Sequence, residues 1–291
     1  MTIDLDAART FAYANARVLE RHRLAALLDG APADPVVSAL RAYRNADGGF
    51  GHALEPDVRG PESEPAAVLH ALEVLAAVNA LDDPMVGDAA AWLGAIADPH
   101  GGVPFVLPAA AEYPRAPWML PSDGGSQLTF GLVGLLVEAG SDASWLRDGT
   151  DWCWARLEHP DGIGGWAVKF ALDFLDRVPD EARAREAIER IAPRLAPDGS
   201  VPVLGGTQDE RVPPLSLSER PGLRSRALFE DGQIVAELDA LERGQRDDGG
   251  WTFDWLGWSP GQSVEWRGIV TVRALATLAA NGRLSGIPVS A

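Results

Sequence analysis

Leu40-Arg41-Ala42-Tyr43-Arg44-Asn45-Ala46-Asp47-Gly48-Gly49-Phe50 and Leu241-Glu242-Arg243-Gly244-Gln245-Arg246-Asp247-Asp248-Gly249-Gly250-Trp251 are two copies of one cassette. Each is an apolar helical stretch that ends in Asp-Gly-Gly-aromatic. A loop rich in acids or prolines follows, and then a second apolar helical stretch. A glutamate stands fourteen residues after each aromatic, Glu64 and Glu265, and precedes an apolar run, Ala66 to Val78 or Gly268 to Ala280. Weaker copies occur at Pro99-His100-Gly101-Gly102-Val103, at Asp161 to Trp166 and at Asp198-Gly199-Ser200. Glycine permits a positive φ at a helix C-terminus, and the ring that follows can pack between neighbouring helical pairs. Phe50, Trp166 and Trp251 are therefore expected to be structural staples. A repeat of this kind describes a stacked or closed array of helical pairs.

Reading outward from the cassettes gives about ten helices. The first is expected as one amphipathic helix from Leu5 to Leu28, with Asp4 as N-cap and Gly30 as its stop. Others are expected from Asp34 into the first cassette, Glu64 to Asn79, Asp83 to Ala97, Leu128 to Ala139, Ser144 to Glu158, Trp166 to Arg177, Asp180 to Leu195, Leu228 to Arg243 and Val264 to Asn281. No segment alternates as a strand does, and residues 198–226 are loop-rich. The fold class expected is all-α, an α/α toroid of five or six helical hairpins around a central cavity. Residues 1–291 are expected to form a single domain, because the repeat spans the chain without a low-complexity linker.

Composition narrows the function. The formal charge of −17 and pI near 4.6 argue against nucleic acid and anionic membranes, because phosphate recognition relies on Lys and Arg. The N-terminal residues lack the features of a secretory signal, and no apolar run approaches the ~20 residues of a membrane span, so a cytoplasmic location is expected. Cys153 is the only cysteine, which excludes a disulfide framework and multi-cysteine metal sites; neither metal nor cofactor is expected. Lys169 is the only lysine, so no other position offers an amine nucleophile.

Asp-Gly-Gly-aromatic after one helix and before the next resembles the prenyltransferase and squalene-oxidase repeat of the α/α-toroid superfamily. That superfamily holds squalene–hopene cyclases, class II terpene cyclases and protein prenyltransferase β-subunits. The likeness implies outer helices running into the Gly-Gly turns, and inner helices starting near Glu64, Gln127 and Glu265. The reaction signatures of the superfamily are mostly missing. Asp-x-Asp-Asp does not occur, and Asp82-Asp83 has no Asp at the spacing of a magnesium-binding Asp-Asp-x-x-Asp. Asp151-Trp152-Cys153 repeats half of a prenyltransferase zinc site, but the last histidine, His159, is too near to complete it.

Acids cluster in the loops that precede the expected inner helices. The first loop gathers His52, Glu55, Asp57 and Arg59 within eight residues, more than capping alone requires. Glu55, Asp57, Asp231 and Asp254 are the candidate catalytic acids. A carboxylic acid desolvated beside tryptophans has a raised pKa and can donate a proton at neutral pH. His52, Arg59, Trp118, Asp123, Trp255, Trp258, Glu265 and Trp266 are the candidate substrate-binding residues; indole faces there suit a carbocation or a sugar ring. The alternative role for Asp123, Asp231, Glu64 and Glu265 is helix capping. The function expected is a terpene-cyclase-like enzyme that protonates an isoprenoid or similar apolar small molecule in an aromatic-lined central pocket. The alternatives are a non-catalytic toroid that binds a small molecule or protein, and a carbohydrate-active lyase or hydrolase.

Overall fold

The computed structural model describes residues 3–204, 206 and 208–284. Among these residues the regular structure is twelve α-helices, several single 3-10 turns and one small hairpin. The helices are α1 Leu5–Asn15, α2 Val18–Asp29, α3 Asp34–Leu40, α4 Pro65–Ala77, α5 Met85–Ile96, α6 Leu128–Glu138, α7 Trp145–Glu158, α8 Gly165–Arg177, α9 Glu181–Ile191, α10 Pro214–Leu217, α11 Asp231–Arg243 and α12 Pro260–Ala280. The hairpin pairs β1 Val201–Pro202 with β2 Arg211–Val212 in antiparallel register.

The helices form an α/α toroid. Helices α3, α5, α7, α9 and α11 lie outside, and each leads to an inner helix, α4, α6, α8, α10 or α12. Inner α4, α6 and α8 pack in succession. Their apolar sequence follows from that position, since α4 and α6 are buried on nearly every side except at their C-terminal ends. The α1–α2 pair fills the gap between α12 and α3.

The glycine turns show why the cassette recurs. Gly48, Gly101 and Gly249 have φ of 93°, 90° and 89°, conformations costly for any residue with a Cβ. A Cβ would also strike the backbone of Asp88, Asp148 or Ala7, respectively, in the next outer helix. The second glycine of each turn, Gly49, Gly102 or Gly250, packs against Trp92, Trp152 or Phe11, four residues further along that same helix. The aspartates fasten the turns: Asp47, Asp98 and Asp248 accept the N–H of Gly49, Gly102 and Gly250. Each copy therefore docks one module onto the next. The last copy docks onto α1, where the Asp4 backbone and the Gln245 amide also exchange two hydrogen bonds of 2.9 and 2.8 Å.

Replacing Gly249 by alanine is expected to destabilise the protein by about 3 kcal/mol, since left-handed strain adds to a backbone collision. Gly282→Ala, at φ 71° with open space around it, is expected to cost about 1 kcal/mol. Equal midpoints for the two variants in urea unfolding would contradict this account of ring closure.

Several expectations need correction. The first helix is two, broken at Ala16 and Arg17, where extended backbone turns the Arg17 side chain inward. A two-residue strand pair lies in the segment read as loop. Helix α12 starts at Pro260, with the Ser259 side chain capping the Gln262 N–H, so Glu265 lies within the helix and does not open it. Glu64 holds the N-cap position of α4, but its side chain caps nothing there. Phe50 and Trp251 are buried staples, whereas Trp166 is 38% exposed. Gly164 and Gly165 open α8 beneath the hairpin and do not form a turn, which leaves Trp166 no slot between modules.

Candidate active site

The loop between the first cassette and α4 is strained and clamped. His52 and Ala53 have φ of 55° and 58°, two consecutive left-handed residues without glycine's freedom. Arg17 holds them from the other side. Its Nη1 donates to the carbonyls of Ala53 and Leu54, both at 3.0 Å, while Nε and Nη2 grip the fully buried Glu20 at 2.8 and 2.9 Å. His52 Nε2 lies 2.9 Å from Asn45 Oδ1. The long loop before α6 adds two backbone bonds, Arg59 N–H to Pro114 and Ala116 N–H to Asp57. The strained turn thus carries Glu55 and Asp57 into the protein on a fixed backbone.

Asp57 meets α12 and the loop before it. Its Oδ1 accepts from Trp258 Nε1 at 3.0 Å, Gln262 Nε2 at 2.9 Å and Trp266 Nε1 at 3.2 Å. Gln262 and Trp266 are one helical turn apart and share a face. Beside Asp57, Arg59 forms a two-bond ion pair with Glu265 at 2.8 and 3.0 Å. Trp255 stands edge-on to Trp266 with centroids 5.0 Å apart and stacks on Phe253 at 4.7 Å. The Trp255 Nε1 is buried without a partner. The Trp258 and Trp266 rings thus flank Asp57, with Trp255 and Phe253 packed beyond Trp266.

Glu55 is the unusual acid. Burial first, then the adjacent Asp57 charge, push its pKa up to about 8, against smaller opposing effects of Arg273, the Asp57 N–H and Arg17. It therefore carries a proton at neutral pH, and 11% of its side chain remains accessible. His70 of α4 lies 3.9 Å away through Nδ1. Burial and the charges of Arg17, Arg273 and Arg23 hold His70 well below the usual histidine range, so this is a contact of two neutral groups and not an ion pair. Glu64 is a second raised acid. Burial pushes it up to about 7, with Glu62 assisting, while a hydrogen bond from the Leu107 N–H opposes.

The inner helices also carry ion pairs. Arg273 of α12 pairs with Glu73 of α4, Lys169 with Asp173 within α8, and Arg177 of α8 with Glu138 of α6, each at 2.7 Å. The Arg273 side chain is 42% accessible, yet burial is the largest single influence on its pKa, offset by Glu73, Glu219 and Glu55. The chain's only lysine is tied to acids there, and neighbouring carboxylates raise its pKa against the effect of burial, which makes it a poor nucleophile.

Not every candidate residue reaches this site. Asp231 is exposed in the first turn of α11, at the end of an outer helix remote from the glycine turn. The thirteen residues of α11 put it roughly 20 Å from the inner-helix starts. There it complements the helix dipole while Glu230 and Gln233 form the capping box. Asp254 and Asp123 are exposed and make no hydrogen bond to the acid loop among the described residues. Trp118 lies half-exposed on the loop before α6. A separate pocket of about 280 Å³, lined by Phe130, Trp152, Arg156, Trp166 and Leu204, contains none of the acid-loop residues. Gln262, His70, Arg17, Arg23 and Arg273 are absent from the candidates read from sequence. Ser259-Pro260 was the readable signal for Gln262: as cap and first turn, it sets Gln262 and Trp266 on one face.

Among the described residues no cluster of three or more His, Cys, Asp or Glu is arranged to hold a metal, and no helix is long and apolar enough to cross a membrane. No family model matches the sequence, and no curated protein matches it. Solved structures do match. A protein from Actinoplanes shares 20% identity at a TM-score of 0.56, over 94% of this chain and 99% of that one. The type II terpene cyclase MstE from Scytonema, without ligand, shares 14% identity at a TM-score of 0.52, over 94% of this chain and 87% of that one. At these identities the likeness is one of fold.

Proposed function

We propose that this chain is a terpene-cyclase-like enzyme, acting as one domain, that starts its reaction by protonating a carbon–carbon double bond of an isoprenoid or similar molecule. The observation that carries the reading is the Glu55–Asp57 pair: a buried acid that keeps its proton at neutral pH, two residues from a carboxylate fixed by three N–H donors. Environments that set two carboxyl groups to different tasks are a mark of acid–base sites. The fold shared with a type II terpene cyclase supports the same reading by analogy.

Glu55 donates its O–H proton to one alkene carbon, and the other becomes cationic. Asp57 and the faces of Trp255 and Trp266 stabilise that cation. The Asp57 carboxylate takes a proton from a neighbouring carbon and passes it to solvent, Glu55 regains one from solvent, and the net reaction is an isomerisation with no oxidant or leaving group needed. A pKa of about 8 makes Glu55 a ready but weak donor, so most of the rate must come from stabilising the cation and excluding water.

The test is incubation with farnesol, geranylgeraniol and squalene in deuterium oxide, with products read by mass spectrometry. The expected product is an isomer carrying one solvent deuterium, lost in Glu55→Gln. Turnover without deuterium uptake, or undiminished in Glu55→Gln, would refute the role of Glu55; no turnover of any alkene would count against the enzyme reading.

A further inference from the structure

Trp166, which has no slot between modules, lines a pocket instead. The space, about 280 Å³, lies between the start of α6 at Gln127 and the start of α8 at Gly165, beside Val203 and Leu204 just after β1. Aromatic rings make much of its wall. Phe130 of α6 meets Trp152 of α7 edge-on with centroids 5.6 Å apart, and both line the pocket together with Trp166. Gly162 leaves the space open, since a Cβ there would meet nothing within 4 Å. Gly164 lets α8 approach the hairpin, since a Cβ there would come within 2.5 Å of the Leu204 side chain. Two large apolar side chains, Trp166 at 38% exposure and Leu204 at 61%, are left in solvent at the edge of this one pocket.

The lining selects its guest. Arg156 is the one charged residue among the described residues that line the pocket, and it forms neither an ion pair nor a hydrogen bond among them. Its guanidinium lies over the Trp152 ring, 5.6 Å from the centroid, so a planar fork of N–H donors is held at the pocket wall. Other charges adjoin the lining without entering it. Asp98 accepts the His100 and Gly102 N–H groups, the Glu210 carbonyl accepts from Val203, and Arg194 donates to the Ile163 carbonyl at 3.2 Å. Neither acid pairs with Arg156. A carboxylate on the guest can take two parallel hydrogen bonds from that free guanidinium, whereas an ammonium finds no acid in the lining. Flat indole faces favour a flat guest. A cavity of roughly 150 Å³ already holds benzene, so about 280 Å³ suits two fused rings and is short of room for a long isoprenoid.

We propose that the pocket between the starts of α6 and α8 binds a planar aromatic carboxylate, its rings against Trp152 and Trp166 and its carboxylate on Arg156. This site goes beyond the acid-initiated reaction and does not depend on it, because no acid-loop residue lines the pocket.

Calorimetric titration of the whole protein at pH 7 with sodium 2-naphthoate, 2-naphthalenemethanol, 2-naphthalenemethylamine and sodium octanoate tests the site. Naphthoate is expected to bind at least about tenfold more tightly than the alcohol, which lacks the charge, and than octanoate, which lacks the rings. The amine, a cation at this pH, is expected to bind most weakly. Arg156→Gln is expected to weaken naphthoate by about tenfold and to leave the alcohol within about twofold. Trp166→Ala is expected to weaken both by about tenfold. Both side chains are exposed and Arg156 makes no hydrogen bond, so the two variants should fold, and their melting temperatures check it. Equal affinity for naphthoate and the alcohol, tighter binding of the amine, or naphthoate binding unaltered in either variant would overturn the proposal. So would failure of every probe to bind at millimolar concentration. Octanoate as tight as naphthoate would overturn its aromatic part. Arg59→Gln should retain naphthoate binding; its loss there would put the carboxylate at the acid loop and overturn the assigned pocket, whereas failure of the alkene assay leaves the pocket untouched.

Discussion

Glu55→Gln is expected to make the protein more stable at pH 8 while abolishing proton transfer. In the unfolded chain Glu55 ionises around its ordinary value of 4.5; in the folded protein it stays protonated until about 8. Between those values the folded state holds the extra proton. Stability therefore falls as pH rises from about 4.5 to 8 and levels off above that. The span corresponds to roughly 3–5 kcal/mol. Glutamine has no proton to lose, so the variant should match the parent near pH 4 and exceed it by about that amount at pH 8. Glu64, raised to about 7, adds its own decline between 4.5 and 7, which the variant keeps. Below pH 8 turnover should drop by a factor of about a thousand, and in the parent it should fade above pH 8 as Glu55 ionises. Urea unfolding across pH 4–9 reads the stability; a variant with the parent's full pH slope would exclude Glu55 as the buried proton carrier.

The second large effect is expected at Asp57. Asp57→Ala leaves the N–H groups of Trp258, Gln262 and Trp266 facing a cavity without an acceptor. At about 1–3 kcal/mol for each unsatisfied donor, a loss of roughly 4 kcal/mol follows. Asp57→Asn keeps an oxygen for those donors and should cost much less. Both variants remove the charge that helps raise Glu55, so its titration should move downward in each. Carboxyl carbon NMR of Glu55, together with melting curves, separates structural from electrostatic consequences. Wild-type stability in Asp57→Ala would show that the three hydrogen bonds do not anchor the loop; an unmoved Glu55 titration would remove Asp57 from its electrostatics.

Much of this was legible in the sequence, and the limits have physical causes. The glycine turns were readable because a positive φ and a close backbone approach leave glycine as the only comfortable residue. The crowding of His52, Glu55, Asp57 and Arg59 was readable because short-range composition survives without coordinates. Partnership across the ring was not. Asp57 finds its donors some two hundred residues away, at Trp258, Gln262 and Trp266, and no local pattern encodes that separation. His70 looked like one more residue of an apolar helix, and Arg17 like the middle of a continuous one. Asp231 misled because an acid before an apolar run reads the same at either end of a hairpin.

The closing contacts of the toroid also set an order of assembly. Arg17 emerges from the ribosome first, the acid loop soon after, and α12 with its three donors last. Until α12 docks against α1 and α2, Asp57 has neither indole nor amide to bind, and Glu73 of α4 lacks Arg273. The seam where the first and last modules meet is thus also where the acid pair sits. A nascent chain that has not yet made α12 holds every residue of the acid loop and no organised site; α12 completes both at once.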